Sequence, residues 1–297
     1  MHLLRYSLVS ASAAVVAGTM VLTGGSAVTT AAAPARALQP ASHHASARFL
    51  AEARTALVKY LRHGHQLAEP LHPGRTNSVR GTTQVSYYNW SGYADSSTTD
   101  GTFTKVSGKW TTPSVSCTAE DTITSEWVGI DGLNSSTVEQ DGTISWCFES
   151  TPTYFTWYEM YPAGTVEVGT SLAPGDKITA TVSRSGTKYT LSLTDATHTA
   201  NSFSKTATCA AATCVDTSAE WIAERSSFSI GIAPLADYGS WKLTAATETA
   251  SGTSGTISSY SPNDEITMID ATDNYDLSTP SALTGGNSFT TTWDNSY

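Results

Sequence analysis

A glutamate and a glutamine, far apart in the chain, are the residues best suited to do chemistry. Glu220 lies in Ser218-Ala219-Glu220-Trp221-Ile222, and Gln140 lies near the end of EWVGIDGLNSSTVEQDG, Glu126 to Gly142. Glu126 to Asp131 alternates as a strand does, so Ser125, Trp127, Gly129 and Asp131 share one face while Val128 and Ile130 share the other. After a turn from Gly132 to Ser135, a second short strand puts Val138 and Gln140 on a common face. In the distant segment Ala219, Trp221 and Ala223 face one way, and Ser218, Glu220 and Ile222 face the other. A Glu and a Gln on neighbouring strands of one sheet can meet across a cleft. There the carboxyl moves protons and the amide donates to an oxygen that becomes negative.

Other chemistries are poorly supplied. From Thr82 onward the chain holds one histidine, His198, in the turn-like Asp195-Ala196-Thr197-His198, so a nucleophilic triad lacks its base. The aspartic-protease signature D-[ST]-G does not occur; Asp216-Thr217-Ser218 comes nearest and lacks the glycine. No phosphate-cradling glycine loop and no dinucleotide fingerprint is present. Carboxylates and aromatics remain, with Trp157, Glu159 and Tyr161 on one face of their own strand. A polysaccharide hydrolase using Glu220 with Glu159 or Asp131 is the alternative enzyme, and a carbohydrate-binding sandwich without catalysis is a third reading.

Strand-like runs must position these groups. They fall near residues 88–94, 102–111, 123–131, 137–140, 144–149, 154–161, 177–184, 188–194, 202–206, 219–225, 241–249 and 265–269, with one more strand expected at 288–293. No comparable stretch keeps helical periodicity, so the expected class is an all-β sandwich of two antiparallel sheets, of jelly-roll or concanavalin-like type.

The chain resembles the eqolisins, or glutamic peptidases, from about Tyr88 to about Asp270. The landmarks in matching order are NWSGY, GKWTTPSV from Gly108 to Val115, WVGIDG, Val138-Glu139-Gln140-Asp141-Gly142, Trp157-Tyr158-Glu159-Met160-Tyr161-Pro162, and AEWI. The resemblance implies a sandwich with the site on a concave face, Gln140 and Glu220 as the catalytic pair, and Trp127, Asp131, Glu159 and Trp157 lining or supporting the site. It implies an endopeptidase that acts in acid on polypeptide substrates, without cofactor or metal. One position departs from fungal members: Phe155 stands two residues before Trp157, where they carry an Asp.

Residues 1–37 read as a signal peptide, with His2 and Arg5 before an apolar run from Leu8 to Leu22 and Ala35-Arg36-Ala37 as a cleavage site. Residues 38–81 read as a basic, partly helical propeptide. Arg48, Arg54, Lys59, Arg62, Arg75 and Arg80 stand there against Glu52 and Glu69, and Phe49, Leu50, Ala53, Leu57, Tyr60 and Leu61 recur at helical spacing between Ser46 and Gly64. Residues 82–297 form the peptidase domain, with 8 Lys and Arg against 24 Asp and Glu, 8 − 24 = −16. The basic segment should bind the acidic domain as its own inhibitor, and so acidic a domain argues against nucleic acid as a partner. The mature form is expected to be a secreted, extracellular monomer without membrane attachment. Export favours disulfides. The short Cys209–Cys214 interval suits a local clip and leaves Cys117 to pair with Cys147, since the spacing does not suit zinc.

Overall fold

The computed structural model describes residues 76–79, 82–118, 120–209, 214–228, 231–272 and 275–297. The expected signal peptide and propeptide helix lie outside them. In chain order the strands are β1 (Thr76–Val79), β2 (Thr82–Tyr87), β3 (Trp90–Ser96), β4 (Phe103–Thr111), β5 (Thr122–Ile130), β6 (Val138–Phe148) and β7 (Thr151–Tyr161). These are followed by β8 (Val166–Glu167), β9 (Lys177–Ser185), β10 (Lys188–Asp195), β11 (Phe203–Thr208), β12 (Ser218–Glu224), β13 (Ser227–Phe228) and β14 (Gly231–Ile232). The last are β15 (Ser240–Ala250), β16 (Thr253–Gly255), β17 (Asn263–Ile269), β18 (Asp276–Pro280) and β19 (Phe289–Trp293). Among the described residues only two short 3-10 turns, Thr199–Asn201 and Ile257–Ser259, interrupt this all-β chain.

The pairings resolve into two sheets. The first runs β1-β2-β17-β3-β12-β5-β6-β7-β8. The second runs β18-β19-β15-β4-β9-β10-β11, with β16 on the end of β15. A short β17–β18 ladder joins them at one edge. One pair, β2 with β17, is parallel, where antiparallel pairing throughout was expected; β17 comes from a remote part of the chain, so no hairpin fixes its direction.

Alternation puts the core between the sheets. In β9 and β10, Ile178, Ala180, Val182, Tyr189, Leu191 and Leu193 are buried while their neighbours are half-buried or exposed. They pack against Tyr93, Val128, Ile130 and Trp221 of the first sheet and Phe103, Trp241 and Phe289 of the second. The Trp221 indole N–H donates to the Ser107 carbonyl at 2.9 Å, a bond from one sheet to the other. Strands β5, β6 and β12 are buried on both faces, and their outward side chains join a second cluster with Trp90, Phe155 and Ile266.

The sequence reading divided one strand in two and left β1, β2, β8, β13, β14, β16 and β18 unassigned. The runs expected at 137–140 and 144–149 are one strand, β6, because Asp141-Gly142 is not a turn. A Cβ on Gly142 would lie 2.1 Å from the Glu126 carbonyl oxygen and 2.7 Å from Trp127 Cβ, so glycine here lets β5 approach. Strand β1 falls inside the interval read as propeptide and pairs with β2. The expected strand at 288–293 appears as β19, beside β15 and β18. Disulfides join Cys117 to Cys147 and Cys209 to Cys214. No helix of the described residues is long and apolar enough to cross a membrane.

Candidate active site

Four adjacent strands place three of the sequence-derived residues, Glu220, Gln140 and Glu159, in one row. Glu220 of β12 is opposite Gly129 of β5, Gly129 is opposite Gln140 of β6, and Gln140 is opposite Glu159 of β7. Directly opposed residues point to the same face, which here is the one turned away from the second sheet. Glu220 and Gln140 are therefore two strand spacings apart, roughly 9–10 Å between backbones. The residue between them has no side chain.

Trp127 fills the floor of that gap. A Cβ on Gly129 would come within 2.8 Å of Trp127 Cζ3 and 3.4 Å of Gln140 Cβ. The Trp127 indole N–H donates to Glu224 Oε2 at 2.7 Å, and Trp90 meets its ring edge-on at 5.0 Å. Glu224 holds Trp127 from four residues beyond Glu220 on the same face of β12, and neither Asp131 nor Glu159 does. Sequence reading missed Glu224, although its even spacing from Glu220 was a usable signal.

Gln140 is fixed by Glu159. Its Nε2 donates to Glu159 Oε2 at 2.7 Å, and the Thr165 hydroxyl donates to Glu159 Oε1 at 2.9 Å. Among the described residues Gln140 Oε1 has no hydrogen-bond partner. Trp157 lies one row further along, beside Gly142, and is fully buried. Asp131 stands outside the row. It follows the last residue of β5 with φ 66° and accepts hydrogen bonds from the N–H groups of Asp216 (2.8 Å) and Thr217 (2.9 Å), which braces the approach to β12 and Glu220. Phe155 is buried in the apolar cluster around the row, next to Ile144.

The carboxyl groups of this face are held toward their neutral forms. Burial raises Glu220 well above the ordinary range, and the charges of Asp131 and Glu139 add to this. The Ser218 hydroxyl and Leu133 N–H draw it partway back, without closing a hydrogen bond of ordinary geometry to either oxygen. Burial lifts Glu159 to about 8 against the bonds from Thr165 and Gln140, and lifts Glu224 well above its usual value against the bond from Trp127. Asp264, in the same row beyond Ala94, is pushed by burial to about 6. It was not legible in the sequence because β17 reaches the row by a non-local pairing.

An all-β scaffold carrying a carboxyl and a carboxamide across a glycine gap has the parts of an acid/base hydrolase with no nucleophilic side chain. The sequence model of the Peptidase A4 family matches residues 88–293, and the chain belongs to that family, the glutamic peptidases, which hydrolyse peptide bonds. Aspergillopepsin-2 of Aspergillus niger is 30% identical over 228 residues, 67% of this chain and 77% of that protein. Among solved structures, scytalido-glutamic peptidase with a peptide-based transition-state analogue superposes with a TM-score of 0.59 at 24% identity, over 70% of this chain and 98% of that one. Aspergilloglutamic peptidase from Aspergillus niger superposes with a TM-score of 0.50 at 26% identity, over 58% of this chain and 99% of that one.

Proposed function

We propose that the chain is a secreted endopeptidase acting in acid, with Glu220 and Gln140 as its catalytic pair. The observation that carries this reading is the register row Glu220–Gly129–Gln140–Glu159. A peptide laid over Gly129 would present its carbonyl between the two side chains. Glu220 takes a proton from the attacking water, and Gln140 donates to the oxyanion through the amide that Glu159 holds in place. Glu220 then gives the proton to the departing nitrogen, the C–N bond breaks, and the carboxyl is ready for another turnover. Glu159, Trp127, Glu224 and Asp131 are positioning residues.

Burial, the largest cause of the raised Glu220 pKa, keeps this carboxyl protonated in acid, a state that accepts no proton. A water hydrogen-bonded to the ionised carboxyl favours that form and draws Glu220 toward the acid range, where it can act as base. Residues 38–81 are proposed as an inhibitory propeptide. Their Lys and Arg keep their charge on acidification while the carboxylates of the domain lose theirs, so the attraction weakens in acid.

The test is incubation of the purified protein with denatured casein and with β-glucan between about pH 3 and 5, followed by mass-spectrometric mapping of new chain ends. Internal cleavage of casein that resists serine and cysteine reagents, chelators and pepstatin is expected. Cleavage of glucan alone would transfer the site to the two-carboxylate glycosidase reading.

A further inference from the structure

We propose that Asp95, Glu248 and Asn263 form a binding site for a calcium-class divalent cation between the two sheets. Asp95 lies near the end of β3 and shares its face with Tyr93, which is turned to the inter-sheet core. Its neighbours across the sheet are Ala219 of β12 and Asn263 of β17. Glu248 comes from β15 in the opposite sheet, between Val106 of β4 and Gly255 of β16. Its carboxyl reaches within hydrogen-bonding range of the Asp95 carboxyl. Asp95, Glu248 and Asn263 are 0%, 3% and 6% exposed, so water does not solvate them freely.

The orientation of Asn263 is the independent observation. Its Nδ2 donates to the carbonyls of Ile257 (3.4 Å) and Tyr260 (3.3 Å), which turns Oδ1 the other way. Directly opposed residues on one face bring their Cβ atoms within about 5 Å, so Oδ1 is aimed toward Asp95. Among the described residues no donor reaches Asp95 Oδ1, Asp95 Oδ2, Glu248 Oε2 or Asn263 Oδ1. Four buried acceptors thus converge without an N–H or O–H among them. Lone pairs brought together in low dielectric repel unless a positive charge lies between them.

One shared proton bridges two of these oxygens and leaves the amide oxygen unserved. A divalent cation serves all four, and two carboxylates balance its charge. Purely oxygen donors with no His or Cys select calcium over zinc or copper. Calcium takes 6–8 oxygens in a loose shell, and waters complete it here. Glu248 also lines a surface basin of roughly 350 Å³ with Thr247, Thr249 and Ser254, which gives an entry path. The other charges facing the group are Lys105 at the basin rim and, through the sheet, Asp264 and Glu220. Protons compete with the ion for these carboxylates as pH falls.

The experiment uses the full chain, freed of metal with a chelator, in thermal melts and equilibrium dialysis with calcium chloride at about pH 7.5 and about pH 4. With affinity in the range of extracellular calcium modules, ~10⁻⁴–10⁻³ M, about 10 mM calcium should raise the melting temperature by ~2–4 °C at the higher pH. It should do nothing at the lower. Asp95→Asn and Glu248→Gln should lose the response while keeping the circular dichroism of the parent. Asn263→Asp adds a third carboxylate and should tighten binding, a gain that misfolding does not produce. Absence of bound calcium and of a shift at about pH 7.5 would overturn the proposal, as would an unchanged response in both carboxyl variants.

Discussion

Gly129 shows how a single residue sets the site. Its absent Cβ leaves space that the Trp127 ring edge already approaches, between the strands carrying Glu220 and Gln140. Gly129→Ala should push Trp127 off its Glu224 contact and tilt Gln140. Overpacking of this kind costs ~1–3 kcal/mol, which urea unfolding would register. Peptide cleavage should fall at least tenfold, and a variant with parental stability and activity would show that the gap is not needed. At this scale much was legible: parity put Trp127 and Gly129 on one face, and family order singled out Gln140 and Glu220. The Trp127–Glu224 bond was not, because it links side chains 97 residues apart and only the register brings them together.

At the scale of elements, period-two alternation located most of the strands, since one buried face is enough to write the pattern. It failed inside β6, where Asp141-Gly142 has turn composition but extended structure, because the glycine is required by the backbone of β5 rather than by a turn. It also could not supply the order β12-β5-β6-β7, which depends on pairing between remote segments. The two disulfides restrain these elements unequally. Cys117 and Cys147 are 30 residues apart, and Cys209 and Cys214 are 5 apart. Chain-entropy arithmetic gives about 3.6 kcal/mol for the longer loop and about 2 for the shorter. Replacing Cys117 and Cys147 by serine should therefore lower the urea midpoint more than replacing Cys209 and Cys214. Equal or reversed losses would place the main restraint in the local clip.

For the whole molecule, the dominant feature is the number of carboxyl groups buried toward their neutral forms. Glu126 is raised by burial to about 7, Glu159 to about 8, and Asp264 and Asp216 to about 6. Unfolded, such groups titrate near ~4. Between those values the folded chain still binds protons that the unfolded chain has released, so stability falls as pH rises through the window and is fully present below it. Asp195 runs the other way: burial pushes it up, but Asn201 and the N–H groups of His198 and Thr197 leave it below its ordinary value, so its contribution fades in acid. It is outnumbered. The melting temperature should be several degrees higher near pH 4 than near pH 8 in the presence of a chelator, and a protein more stable at the alkaline end would contradict this electrostatic account.

The most direct test of the proposed mechanism is cleavage of a denatured protein across acid pH by wild type, Glu220→Gln and Gln140→Ala, with circular dichroism as the control for folding. Glu220→Gln should lose nearly all turnover at every pH, since no other group in the row is assigned the proton. Gln140→Ala removes one oxyanion donor and should lower kcat by ~10²–10³-fold with little change in KM. A folded Gln140→Ala enzyme with near-normal turnover would contradict the pairing of Gln140 with Glu220.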